Sequence, residues 1–176
     1  MHSLDTFTTE RLVARRVQPE HFAEMFRLHQ DPRVMATLGG KLFDENLTKA
    51  IVERALTHWD QHQFGVWMWY DRRNGDFVGR GGIRHAEIEG QAEIELLYAL
   101  IPDYWRQGVA TELALASIDI GFHQLGFDNI AAWTLPTNLG SQGVMKKAGL
   151  QYERDVVWAD LPHVLFRRRR AEIAHQ

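Results

Sequence analysis

The stretch FGVWMWYDRRNGDFVGRGGIRHAEIEGQAEIELLYALIP, from Phe64 to Pro102, constrains the fold more than any other part of the chain. Its apolar and aromatic runs are broken by Asn74-Gly75 and by Glu89-Gly90. Both breaks read as hairpin turns, so three antiparallel strands should meander here. Gly79, Gly81 and Gly82 weaken the middle strand and predict a bulge or a close backbone approach.

The flanking segments supply more strands and the cover. TERLVARRV sets Leu12, Ala14 and Arg16 against Val13, Arg15 and Val17, a strand alternation. Pro19 suits a first helical turn, and Phe22, Met25 and Phe26 then form one apolar helical face. Asp31-Pro32 should end that helix. DENLTKAIVERALTHWDQH carries a helical stripe of Leu47, Ile51, Val52, Ala55, Leu56 and Trp59. After the meander, Val109, Leu113, Ala116 and Ile120 share one side of a helix that stops near Gly126. NIAAWTL reads as a strand, NLGSQGVMKKAGL as a short helix ended by Gly149, and QYERDVVW and HVLFRRRR as closing strands. The expected fold is α/β: a mixed, mostly antiparallel central sheet of about seven strands, with helices on both faces. Residues 1–176 should form one domain.

Composition narrows the chemistry. There is no cysteine, which removes disulfides, thiolate metal sites and a thiol nucleophile. A formal charge of -3 exerts no pull toward nucleic acid or an anionic membrane. No apolar run reaches membrane-spanning length, and MHSLDTFTTE lacks a signal-peptide core. A soluble, cytoplasmic protein is expected.

The functional signal lies in YWRQGVATE, residues 104–112. A strand ends near Pro102 and a helix begins near Gly108 or Val109. The first amides of a helix have no partner within it, and the helix dipole adds positive charge there. Gly108 lets a ligand approach the backbone, Ala110 adds little bulk, Arg106 adds charge and Gln107 adds donors. Acids are absent from Trp105 to Thr111. The stretch therefore suits an anion, most plausibly a phosphate; an ordinary helix start with a loop glycine is the plain alternative. Neither G-x-x-x-x-G-K-S/T nor G-x-G-x-x-G occurs.

On these residues the chain resembles the Gcn5-related N-acetyltransferases (GNAT), closest to the branch of the ribosomal-protein N-terminal alanine and serine acetyltransferases. That family's strand–helix junction carries Arg or Gln, two variable residues, Gly, one variable residue, then Gly or Ala. Trp105 to Ala110 follows the pattern, with Trp105 at the first position. NLGSQGVMKKAGLQYE resembles the family's later motif through Asn138, Ser141, Lys147 and Gly149, with Leu150 in place of Phe. FVGRGGI and TERLVARRV resemble family strands, so the likeness runs along almost the whole chain. The resemblance implies acetyl-CoA as co-substrate, with its pyrophosphate on the amides from Arg106 and Gln107 through Gly108, Val109, Ala110 and Thr111. It also implies main-chain pairing of the pantetheine arm by Tyr98, Ala99 and Leu100, and a side-chain contact from Asn138.

An amine that attacks a thioester must first lose a proton, so a base is needed. The resemblance places Glu95 there, in AEIELLYAL. Glu93 shares its strand face, and two close carboxylates would raise each other's pKa; two solvated acids are the ordinary alternative. The tyrosine that many relatives use as general acid is Met145 here. Ser141 is the remaining nearby hydroxyl, donating through a water or merely touching the sulfur; water alone is the other candidate acid. Asn138 also reads as a plain N-cap.

Other features are weighed against simpler readings. His58 and His62 stand at i and i+4, but the H-E-x-x-H glutamate is missing, so a solvated helix face is expected and no metal. His85, near Glu87 and Glu89, reads as a polar hairpin tip. Trp67 and Trp69 share a face and read as core, or else as an acceptor wall. Arg167 to Arg170 reads as a charged edge strand, with an RNA-directed surface as the other reading. The expected function is transfer of an acetyl group from acetyl-CoA to a primary amine, a protein N-terminus or a small molecule, in a ternary complex. A non-catalytic acyl-CoA sensor and an RNA-binding domain are the alternatives. No pattern names the acceptor or separates monomer from homodimer.

Overall fold

The computed structural model describes residues 4–170. The predicted meander is present. Strands β3 (Val66–Asp71), β4 (Phe77–Ile88) and β5 (Gln91–Leu100) pair antiparallel in sequence. Glu89 and Gly90 both take positive φ, 50° and 76°, as a two-residue hairpin turn requires. Before the meander come β1 (Thr6–Thr8), β2 (Leu12–Arg16), α1 (Phe22–His29), α2 (Pro32–Ala36) and α3 (Glu45–His62). After it come α4 (Val109–Asp119), a π-helical turn (Ile120–Gln124), β6 (Asn129–Thr134), α5 (Leu139–Lys147), β7 (Gln151–Trp158) and β8 (Leu161–Arg169).

Eight strands form one sheet in the order β1-β2-β3-β4-β5-β6-β8-β7. The strand beyond the expected seven is β1, too short to stand out by alternation. Asp31-Pro32 ends α1 but also starts α2. Asp31 caps the Arg33 amide at 2.9 Å, and Pro32 takes the first helical position, where its missing N–H costs nothing. The arginine-rich strand β8 is not an edge. It lies between β6 and β7, and β7 is the outer strand.

Helices cover both faces. A Cβ on Gly81 would stand 2.8 Å from the Leu113 side chain, so the missing side chain lets α4 lie directly on β4. On the neighbouring residue the chain alternates to the other face, where Arg80 acts electrostatically on His29 of α1. The expected close approach in the glycine-rich strand is thus to α4, and the expected bulge falls where β3 and β4 slip register between Trp69 and Tyr70. Trp67 and Trp69 are wholly buried; their indoles donate to the carbonyls of Leu4 and Gly81, and Phe7 packs edge-on against both. They are core and not an acceptor wall. Truncating either to Ala would cost about 3–5 kcal/mol.

The departure from antiparallel pairing positions the site. β5 and β6 run parallel and share a single residue pair, Glu95 with Ala131. Beyond Glu95 the two strands separate, and a cleft opens toward the start of α4.

Candidate active site

The junction between β5 and α4 is built from two left-handed residues, Arg106 at φ 57° and Gly108 at φ 75°, on either side of Gln107. Glycine adopts this conformation without a Cβ penalty. Gly108 is the N-cap of α4. The main-chain amides of residues 108–111 close no protein hydrogen bond of ordinary geometry among the described residues. These amides lie where the helix dipole is positive.

Arg11, which no sequence pattern singles out, completes this end. Its Nη1 donates to the Gln107 carbonyl at 2.7 Å, and its Nε to Glu112 at 2.6 Å. Glu112, the one acid in the first turn of α4, also accepts from Thr9 Oγ1 at 2.5 Å and from the Arg11 amide at 2.8 Å. Burial pushes the Glu112 carboxyl up, but the Thr9 and Arg11 bonds overcome this and hold it below its usual range. Its charge is turned toward the β1–β2 loop and away from the open amides. Gln107 spends one amide hydrogen on the Asp103 carbonyl, tightening the turn.

Strand β5 presents its free backbone to the cleft. The Ile101 amide bonds to Val78 on the β4 side, and antiparallel residues alternate in the direction of their main-chain groups. Ala99, paired with Arg80, therefore commits its amide and carbonyl to β4. Tyr98 and Leu100 turn theirs toward the cleft. The Leu100 carbonyl accepts the Trp105 indole at 2.8 Å, which leaves the Leu100 amide and both Tyr98 groups for a ligand. Of the three residues expected to pair with a ligand through the backbone, Ala99 is thus already engaged.

Glu95 and Glu93 are both buried, which corrects the solvated reading. Glu95 lies opposite Arg84 across the β4–β5 ladder and accepts from its Nε at 2.7 Å. Burial raises the Glu95 carboxyl above its usual range; Arg84 and then Arg80 oppose the rise. The lift does not come from Glu93. That carboxylate is gripped by both terminal nitrogens of Arg167, each at 2.7 Å. On the same face, Arg80 has a buried Nε without a partner among the described residues, and His29 a buried Nε2 in the same condition. Trp133 and Trp158, 5.5 Å apart, stand farther along this side on β6 and β7.

Asn138 is the N-cap of α5. Its Oδ1 accepts the Ser141 amide at 3.1 Å, and its Nδ2 points to the Thr37 carbonyl at 3.4 Å. Ser141 Oγ lies 2.9 Å from the Tyr98 hydroxyl, which also donates to the Ser141 carbonyl. Burial pushes the Tyr98 phenol up to about 12, with the Ser141 bond opposing. Met145, one turn on from Ser141 along α5, is buried. The arginine run is spent on the protein itself. Arg167 meets Glu93 and Glu153, and Arg168 the Ala148 carbonyl and the Phe122 ring. Arg169 meets Glu153, and Arg170 Asp128.

The α/β domain thus has a sheet that splits between two parallel strands, with an open amide turn at one mouth and a buried carboxylate at the point of divergence. The sequence profile of the acetyltransferase (GNAT) domain matches residues 11–151. The chain belongs to the GNAT acetyltransferases and is an acetyl-CoA-dependent acetyltransferase. It is 31% identical over 175 residues to the uncharacterized protein YkkB of Bacillus subtilis, covering 96% of this chain and 98% of that one. The crystal structure of an acetyltransferase from Agrobacterium tumefaciens superposes with a TM-score of 0.84 at 24% identity, covering 97% of both chains. AAC(6')-Ib, in complex with paromomycin and acetyl-CoA, has the same fold at 16% identity, with a TM-score of 0.78 and coverage of 95% and 98%. Among the described residues no helix is long and apolar enough to cross a membrane.

Proposed function

We propose that the protein is an N-acetyltransferase for a primary amine, of the ribosomal-protein alanine and serine acetyltransferase branch that its motifs resemble. The observation that carries this is the amide-lined turn at Gly108, which opens onto the same cleft as Glu95. Acetyl-CoA supplies an activated acetyl thioester. The amides of Gly108, Val109, Ala110 and Thr111 bind its diphosphate, with Arg106, Gln107 and Arg11 around them. Tyr98 and Leu100 orient the pantetheine arm through their free main-chain groups. Asn138 acts through α5, holding that helix start against Thr37 beside the arm.

Glu95 takes the proton of the amine, directly or through one water. Its raised pKa suits a base working near neutral pH, and Arg84 keeps a fraction ionised. Ser141 swings its hydroxyl hydrogen from the Tyr98 oxygen to the leaving sulfur, while the Tyr98 hydrogen stays on the Ser141 carbonyl. A free thiol titrates at about 8.5, well below the Tyr98 phenol at about 12. Complete proton transfer from Tyr98 to the thiolate is therefore uphill. Ser141 stabilises the sulfur by hydrogen bonding, and water supplies the proton. Arg80 recognises an oxygen-bearing group beside the amine, since its buried Nε has no protein partner among the described residues. A peptide N-terminus and an amino-bearing small molecule both offer such a group.

Free-thiol release from acetyl-CoA across a panel of N-terminal peptides and small amines tests this. Saturable release with at least one class supports the reading. Acetyl-CoA binding without release on any amine would leave the sensor reading, which Met145 in place of a tyrosine favours.

A further inference from the structure

Three imidazoles that the sequence keeps apart come together just before β3 begins. β3 begins at Val66, opposite Gly82, so β4 beyond Gly82 has no strand on that side. The end of α3 and Phe64 take its place. His58 and His62, one turn apart on α3, meet His85 of β4, and one ring nitrogen from each lies within 4.8 Å of the other two. Ring centroids are 4.6 Å apart for His58 and His62, and 4.3 Å for His62 and His85.

The tautomer of the inner ring is fixed. His58 Nδ1 lies 2.9 Å from the Phe64 carbonyl, so it carries the hydrogen and donates. Its Nε2 then holds a lone pair toward His85, 3.0 Å from the His85 amide and 3.3 Å from His85 Nδ1. Metal-bound histidines make the same kind of outer bond to a carbonyl. Accepting the free β4 amide gives His58 a purely structural use. It gives no reason for the exposed rings of His62 and His85 to gather on the same point, and no carboxylate pairs with any of the three among the described residues.

We propose that His58, His62 and His85 bind a late divalent transition-metal ion, Zn²⁺ being the best-suited, with water in the fourth position. Zinc–imidazole bonds of about 2.0–2.1 Å in a tetrahedral site set ligand nitrogens roughly 3.4 Å apart. Rotation of the two exposed rings closes the remaining gap, and His58 Nε2 exchanges the His85 amide for the ion. His85 and Arg84 point to opposite faces of β4, so the ion does not meet Glu95. It clamps α3 to the strand that carries Arg80 and Arg84. Spacing alone argued against a metal because the i, i+4 pair lacks its glutamate; the third ligand comes from a strand 27 residues on from His58.

The test uses the full-length, tag-free chain, stripped with chelator. Zn²⁺ binding is measured by competition with a chromophoric chelator, and Co²⁺ by its visible absorption. The expected result is one ion per chain, a Co²⁺ spectrum of tetrahedral intensity, and a higher melting temperature with metal. His62→Ala and His85→Ala, both exposed, should melt like the metal-free wild type and weaken binding by more than about tenfold. Undiminished binding in both variants, or no ion taken up by the wild type at millimolar Zn²⁺, overturns the proposal.

Discussion

Gly108→Ala separates the cost of a left-handed backbone from the loss of a binding site. Gly108 sits at φ 75°, ψ 1°. An alanine held there loses about 1–2 kcal/mol. Space is not the obstacle, since the added Cβ would stand 3.4 Å from Arg11 Nη2, an ordinary contact with a half-exposed side chain. The backbone term therefore dominates, and the ligand-free melting temperature should fall by about 2–8 °C for a chain of this size. If the turn relaxes to escape the strain, the amides of residues 108–111 are re-aimed. Acetyl-CoA at about 100 times its Kd stabilises the wild type by about 2.7 kcal/mol; at the same concentration a variant binding about tenfold more weakly gains about 1.4 kcal/mol. The assay is a pair of thermal melts, with and without acetyl-CoA. The expected signature is a lower starting melt and a ligand gain cut to roughly half. A variant that melts lower but keeps the full ligand gain would refute the placement of the diphosphate on this turn.

Other outcomes follow from the same geometry. Glu95→Gln should lower turnover by about 10²–10⁴-fold while leaving acetyl-CoA affinity nearly unchanged, and should erase the rise of kcat/KM with pH; a variant with an intact pH limb would exclude Glu95 as the base. Arg84 holds the Glu95 pKa down, so Arg84→Gln should move that limb to higher pH, and an unmoved profile would show that the pair is only structural. Arg167→Met leaves Glu93 buried without its partner and should cost about 3–5 kcal/mol in urea unfolding, with much of the loss recovered when Glu93 is also made Leu. Burial, and secondarily Arg80, lower His29 to about 3. Its unfolded value is near 6.5, so below that pH the unfolded state takes up a proton that the folded state refuses. The stability His29 confers is full above about pH 6.5 and drains as pH falls toward 3, by at most about 5 kcal/mol. His29→Gln should flatten that part of the stability curve, and an unaltered acid limb would assign it to other groups.

Most elements and their turns were legible in the chain because their causes are local; the short β1 and α2 were not. Asn74-Gly75 and Glu89-Gly90 mark turns through backbone preferences of one or two residues, and the stripe from Leu47 to Trp59 marks a helix through its own period. Gly108 could be singled out because a glycine at a helix start leaves the backbone uncovered wherever it occurs. Asn138 could be recognised as a cap because that preference is local too. The solvated reading of Glu93 and Glu95 failed because strand alternation reports which residues share a face, not whether arginines from β4 and β8 will cover that face. The edge placement of Arg167 to Arg170 failed because chain order does not give strand order.

By itself, then, the sequence determined the longer helices, the strands of the meander, the glycine turn at Gly108 and the family to which they belong. These depend on interactions between residues within a few positions of one another. Only the tertiary structure decided that Arg11 braces a helix start 101 residues away through Glu112, that Tyr98 holds Ser141, that Arg167 reaches Glu93 across 74 residues, and that three histidines meet beside β4. Such contacts depend on which strands become neighbours and on where β5 and β6 part. That is set by how the whole sheet closes over its core, and no local period encodes it.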